Sequence, residues 1–282
     1  MIQKTNLIFI IPFLFLFSCC LDSEKDLLKD FVFVKGAKIE GVITAEGYTE
    51  STIFKAGATH DIKDFYICNH EVTQAEFARY YEGYNYRIEE NEKGIGASYP
   101  AYDVNWFDTL VYCNNRSIAE GLTPCYTING STNPKDWGKV PKSREWKSWN
   151  DWIFAECDFE ADGYRLPTTT EWEYAARGGN GLTGYQYKYA GSDNLDEVAW
   201  WNTDWVREVK KKKPNTLGIY DMNGNLDEWC WERYKGDANR LCCGGYYYFK
   251  DEKSYLLSKA PSMTLSIVVR NSQLGFRVVR SK

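Results

Sequence analysis

The chain has 282 residues, 44% of them hydrophobic and 26% charged, with a formal net charge of −5. That length suffices for one large domain or two small ones with ample core, and the balance excludes extended disorder and collagen-like repetition. The acidic balance argues against a nucleic-acid partner, and two histidines, His60 and His70, leave little room for a His-based triad or a multi-histidine metal centre.

At the N-terminus, Lys4 precedes an apolar run from Leu7 to Phe17. Eleven residues are too few to span a bilayer as a helix but fit a signal-peptide core. The run ends Leu16-Phe17-Ser18-Cys19, which resembles a bacterial lipobox. Residues 1–18 are therefore expected to be a lipoprotein signal peptide, Cys19 the lipidated mature N-terminus, and 19–30 a charged tether. The chain would then be exported and anchored by lipid to a membrane, at the bacterial outer membrane or cell surface. Acyl chains hold at about 0.8 kcal/mol per buried methylene. A plain secretory signal, with Cys19 incidental, is the alternative.

With Cys19 assigned to lipid, eight of the nine cysteines are left. An exported chain can form disulfides, but no C-x-x-C occurs and no spacing dictates a pairing. Buried free thiols in an aromatic core are the alternative.

Phe31–Val34 and Asp64–Cys68 read as strands. Thr73 with Glu76 has capping-box spacing and starts a helix that buries Phe77 and Tyr80; Asn105 with Asp108 repeats the pattern. A third helix is expected from Thr168 with Glu171, running to Arg177 and stopped by Gly178-Gly179. Glu171 and Glu173 lie two apart on it and do not face each other as an acid/base pair. Trp146 and Trp149, three apart, suggest a buried helix face rather than a sugar platform, and Lys210–Lys213 a solvated loop. The remainder is rich in Gly, Asn, Asp and aromatics, which points to one loop-rich α+β domain over 31–282.

Several segments in order resemble the formylglycine-generating-enzyme (sulfatase-modifying factor) family. They include Tyr164-Arg165-Leu166-Pro167-Thr168, Glu171 to Gly179, His70-Glu71-Val72-Thr73, Asn215 to Asn225, Glu228-Trp229 and Gly275-Phe276-Arg277. The resemblance implies a C-type-lectin-like fold. It also implies where catalysis would sit, because enzymes of the family use two cysteines five residues apart, the first four residues after a Gly-Gly. Here the doublet is Gly244-Gly245, and the matching positions are Phe249 and Ser254. Neither supplies a thiolate, so no sulfatase-modifying activity and no copper are expected.

Between Arg240 and Val269 the family pattern breaks. Tyr246-Tyr247-Tyr248-Phe249-Lys250-Asp251 follows the glycines, and Ala260–Val269 is apolar for a loop; the framework resumes at Leu274. An unusual patch between framework segments resembles the variable region of diversity-generating-retroelement lipoproteins of the treponemal variable-protein type, with 240–277 as the candidate variable region. In an extended segment alternate side chains face opposite ways, so some of the four aromatics are expected at the surface. Tyrosine offers rigid contact area at low entropic cost. Tyr246, Tyr247, Tyr248, Phe249, Lys250, Asp251, Lys253 and Tyr255 are the candidate ligand-binding residues, for an external protein, peptide or glycan. A hairpin with its aromatics packed on neighbouring loops is the alternative.

The resemblance also implies a structural calcium site over Asp221, the carbonyls of Gly224 and Leu226, and Glu228. Calcium takes six to eight oxygens, and this stretch offers about four before water. Alternatively, Asn223 and Asn225 make turn hydrogen bonds and Glu228 pairs with an arginine. The expected function is a surface lipoprotein that binds an external ligand without catalysis. An enzyme of the same fold with altered residues, or a structural envelope protein, is the alternative.

Overall fold

The computed structural model describes residues 27–41, 51–84, 94–145, 149–179, 186–235, 238–261 and 263–282. The expected signal peptide and Cys19 lie outside the described residues, as does Trp146.

Strand β1 (Phe31–Val34) is followed by the paired β2 (Lys38–Glu40) and β3 (Thr59–Asp61), then β4 (Phe65–Cys68). Helices α1 (Gln74–Tyr80) and α2 (Trp106–Ala119) lead to β5 (Tyr126–Thr127), α3 (Trp149–Ile153), β6 (Glu156–Cys157) and β7 (Tyr164–Arg165). Next come α4 (Thr169–Ala176) and α5 (Leu195–Val198). Five strands follow: β8 (Asp227–Arg233), β9 (Asn239–Cys243), β10 (Met263–Ser266), β11 (Leu274–Gly275) and β12 (Val279–Ser281). Helices and short strands mix within one loop-rich α+β architecture, as the sequence leads one to expect.

Thr73, Asn105 and Thr168 each cap a helix, and in each case the carboxylate three residues on accepts from the cap's own N–H. Helix α4 stops where Gly178 and Gly179 take φ of 87° and 62°, a region closed to most side chains.

One sheet runs β1-β4-β12-β7, with Val279 of β12 opposite both Ile67 and Arg165. The other runs β10-β9-β8-β11, with a bulge in the β8/β9 pairing between Trp229 and Arg233. The apolar Ala260–Val269 stretch is therefore not a loop throughout. Its Met263–Ser266 portion pairs with β9, Met263 opposite Cys242, and Ile267 enters the core. That pairing accounts for its composition.

Helix α2 and the second sheet share one core, built around Trp106, Phe107, Tyr112, Trp229 and Phe276. Helix α4 packs against β8 and β9, and its Trp172 joins a second buried cluster with Val34 and Ile67 of the first sheet and Met222. Trp137 and Trp152 are buried in the former cluster, so these indoles serve packing rather than a sugar platform.

A pinned aromatic loop over a buried ion pair

The chain leaves β9 through Gly244 and Gly245, with φ of 108° and 74°. A Cβ on Gly245 would stand 2.9 Å from the Tyr255 ring, so the turn requires glycine for both its angle and its close approach. It bends the aromatic run, which is not the extended segment its sequence suggests, and simple alternation of faces is lost. Neighbouring backbone holds the bend in place. Tyr247 N–H donates to the Asn225 carbonyl at 2.9 Å, Thr203 N–H to the Tyr247 carbonyl at 2.9 Å, and Asn202 N–H to the Phe249 carbonyl at 3.1 Å.

The eight candidate residues divide into supports and exposed groups. Tyr247 is buried beside Val206 and Leu226, and Tyr255 beside Tyr189, Leu195 and Val198. The Tyr255 hydroxyl donates to the carbonyls of Tyr246 at 2.6 Å and Phe249 at 3.2 Å, and burial pushes its phenol well above the usual range. These two rings are occupied in packing and do not face a ligand, which corrects the expectation for them. Tyr246 and Phe249 are half-buried against each other, with ring centroids 4.0 Å apart. Tyr248 is 49% exposed, and Lys250 Nζ lies 5.5 Å from its ring centroid. Lys250, Asp251 and Lys253 are exposed, and Asp251 caps a short turn by accepting from Lys253 N–H at 3.1 Å.

Sequence reasoning passed over Trp205. It is 43% exposed, and its carbonyl accepts from the Thr203 hydroxyl at 3.0 Å, next to the Thr203–Tyr247 backbone bond. The signal was the indole density of Trp200-Trp201 and Trp205.

No cysteine stands on this loop. Ser254 Oγ donates to Asp251 Oδ2 at 3.3 Å, and the Phe249 ring packs at its edge on Tyr255. Cys242 and Cys243 are fully buried on β9, and burial pushes both thiols well above their usual pKa. Cys230 Sγ lies 3.7 Å from Cys243 Sγ, too far for a disulfide.

Beneath the loop, Glu228 is fully buried against Arg277. Arg277 Nε donates to Glu228 Oε2 and Nη2 to Oε1, both at 2.6 Å, and Trp172 Nε1 donates to Oε2 at 2.7 Å. Asp221 Oδ2 accepts from Lys210 N–H at 2.7 Å while Oδ1 is buried without a partner among the described residues. Burial, with Glu228 nearby, pushes the Asp221 carboxyl up to about 6. Glu71 is likewise pushed up by burial, Asp221 and Glu228, and accepts from Leu226 N–H at 3.0 Å and Asn225 Nδ2 at 2.6 Å. Asn223 accepts from Ala190 N–H at 2.7 Å and donates to the Tyr255 carbonyl at 2.8 Å. Gly224 packs so closely on Trp200 that a Cβ would be 2.2 Å from its carbonyl oxygen.

These residues do not fit the expected calcium site over Asp221, Gly224, Leu226 and Glu228. The guanidinium of Arg277 already serves as the cation for Glu228, and among the described residues no cluster of three His, Cys, Asp or Glu could hold a metal. The arginine alternative is the arrangement found. The lysine run is paired rather than free: Lys210 with Asp30, Lys211 with Glu208 and Lys213 with Glu197, while Lys212 Nζ lies 4.3 Å from the Trp200 ring centroid.

The family model described as the sulfatase-modifying factor enzyme 1-like domain matches residues 20–282. A Paenibacillus barcinonensis protein named chaperone protein LppX is 33% identical over 236 residues, covering 76% of this chain and 75% of that protein. The inactive C-alpha-formylglycine-generating enzyme 2 of Bos taurus is 33% identical over 101 residues, 31% of this chain and 32% of that protein. The solved structure of Treponema denticola variable protein 1 superposes with a TM-score of 0.71 at 29% identity, over 89% of this chain and 95% of that one. The chain thus belongs to the sulfatase-modifying factor enzyme 1-like family, with an α+β domain similar to that of a treponemal variable protein.

Proposed function

We propose that this chain is a non-catalytic ligand-binding module that captures an external protein, peptide or glycan on the Tyr246–Lys253 loop. One observation carries the reading. A backbone held at Tyr247 and Phe249 presents exposed Tyr248 beside Lys250, Asp251 and Lys253, with exposed Trp205 on the adjoining segment, and no thiol stands at Phe249 or Ser254. Rigid aromatic area with a polar rim is what recognition surfaces use. The likeness to a variable protein supports the same reading, and 240–277 is the segment in which variation would tune the ligand. The relative named as a chaperone makes polypeptides the first ligand class to test. Lipid on Cys19 would tether the module to the outer membrane or cell surface.

The experiment immobilises the purified protein and measures capture from peptide and glycan arrays. Tyr248→Ala together with Trp205→Ala is expected to weaken capture about tenfold or more, the loss of two aromatic anchors, with an unchanged unfolding midpoint. Tyr247→Ala is expected instead to lower the midpoint, by about 3–5 kcal/mol of stability. Capture that survives loss of both exposed rings overturns the assignment of the loop. Conversion of a peptide cysteine to formylglycine with oxygen consumption overturns the non-catalytic reading.

A further inference from the structure

A cavity of about 410 Å³ opens between β3, the first turn of α4 and the end of β8, and it shares no lining residue with the aromatic loop. Its volume lies in the range of small-ligand sites.

Most of its charges are paired. Arg165 Nη1 and Nη2 donate to the two oxygens of Glu171 at 2.8 and 2.7 Å. Lys63 pairs with Glu160, and Asp64 with Lys282 at 3.3 Å.

One group is left wanting. Among the described residues Glu232 accepts from neutral donors alone, Thr169 N–H at 2.8 and 2.9 Å and the Thr169 hydroxyl at 3.1 Å, and no lysine or arginine pairs with it. Arg165 lines the same cavity but is 3% exposed, its guanidinium held by Glu171 and lying 4.9 Å from the Phe159 ring centroid. A half-buried carboxylate without a counter-ion is costly, and a cationic ligand relieves it. Such a ligand must bring a cation to Glu232. Asp61, exposed at the rim, adds a second negative charge for an approaching cation, and the 37% exposed ring of Phe159 supplies an apolar wall for an aliphatic stem.

We propose that this cavity receives an alkyl guanidinium or ammonium ion of the arginine or lysine side-chain kind, with the cationic head on Glu232 and the aliphatic stem along Phe159. The site is separate from the aromatic loop, so its failure leaves the function proposed for that loop untouched. Affinity should depend on pH in a stated direction. Burial pushes the Glu232 carboxyl up to about 7 against its hydrogen bonds from backbone and Thr169, with Glu171 adding to the rise. The other charged or titratable groups around it are His60, Asp61, Lys63 and Asp64 on and after β3, Arg165 on β7, and Arg240 on β9, which acts from further away. A cation binds the ionised form, so affinity rises between pH 6 and 8 as Glu232 loses its proton.

Calorimetry of the purified protein tests this with N-acetyl-arginine amide, N-acetyl-lysine amide, agmatine, which keeps the same head and stem, and the neutral N-acetyl-citrulline amide. The three cations are expected to bind about tenfold or more tighter than the citrulline amide. Glu232→Gln should bring the arginine amide to the citrulline level and abolish the rise with pH. Asp61→Lys, at an exposed position, should weaken the arginine amide several-fold without altering the interior. Equal binding of citrulline and arginine amides, indifference to Glu232→Gln, or no binding at about 10 mM would overturn the site.

Discussion

Arg277 gathers acceptors from three parts of the chain. Besides both Glu228 oxygens it reaches the carbonyls of Tyr220 at 3.0 Å, Asp221 at 3.3 Å and Cys68 at 3.3 Å. It therefore fastens β4, the Tyr220–Asp221 turn and β8 together. Replacing it by an apolar residue leaves Glu228 buried without a cation. Arg277→Met is expected to cost about 3–5 kcal/mol in urea unfolding, while calcium and chelator leave the wild-type midpoint where it is. Spacing gives no hint of this pair, since 49 residues separate the partners. The oxygen-rich Asp221–Glu228 stretch reads as a metal loop because side-chain type is visible in a sequence and a distant guanidinium is not.

Elements whose logic is local were the most legible. Thr73/Glu76, Asn105/Asp108 and Thr168/Glu171 each carry their own start signal within four residues, and each forms its capping box. For α4 this predicts that Thr168→Ala, which removes the hydroxyl bonded by Glu171 N–H at 3.1 Å, lowers stability by about 1 kcal/mol, measurable as a shift in the denaturant midpoint. The aromatic run was harder to interpret. Four aromatics in sequence suggest a strand, yet Gly244 and Gly245 turn the chain first, and which rings go inside then depends on Val206, Leu195 and Val198. Ala260–Val269 misled for the opposite reason, since an edge strand built from its apolar residues needs β9 as partner. The exposed half of the site, Tyr248 to Lys253, was visible in composition; Trp205 adjoins it because Thr203 bonds Tyr247, 44 residues on, and was not.

At the scale of the molecule, buried carboxyls set how stability responds to pH. Glu232 rises to about 7 from 4.5, and Asp221 to about 6 from 3.8, in both cases chiefly through burial. A group raised on folding lends its full stabilisation below its unfolded pKa and loses it as pH climbs through the folded one. Stability from these groups therefore declines between about pH 4 and 7. Urea titrations across pH 4 to 8 should show the decline, and Glu232→Gln should raise stability at pH 8 relative to wild type while changing little at pH 4. The ordered motifs from His70 to Arg277 made the family legible across the chain, although the sheet order that joins them was not.

Strand β12 lies between β4 and β7, joining residues near 280 to partners near 66 and 164. Contacts so distant along the chain close late and slowly, because a long loop must be ordered before the pairing repays it. Until residues 279–281 arrive, β4 and β7 offer unsatisfied backbone edges to any neighbouring strand. A nascent chain of this kind is exposed to aggregation for most of its synthesis, and its survival depends on being kept from self-association until that final strand is supplied.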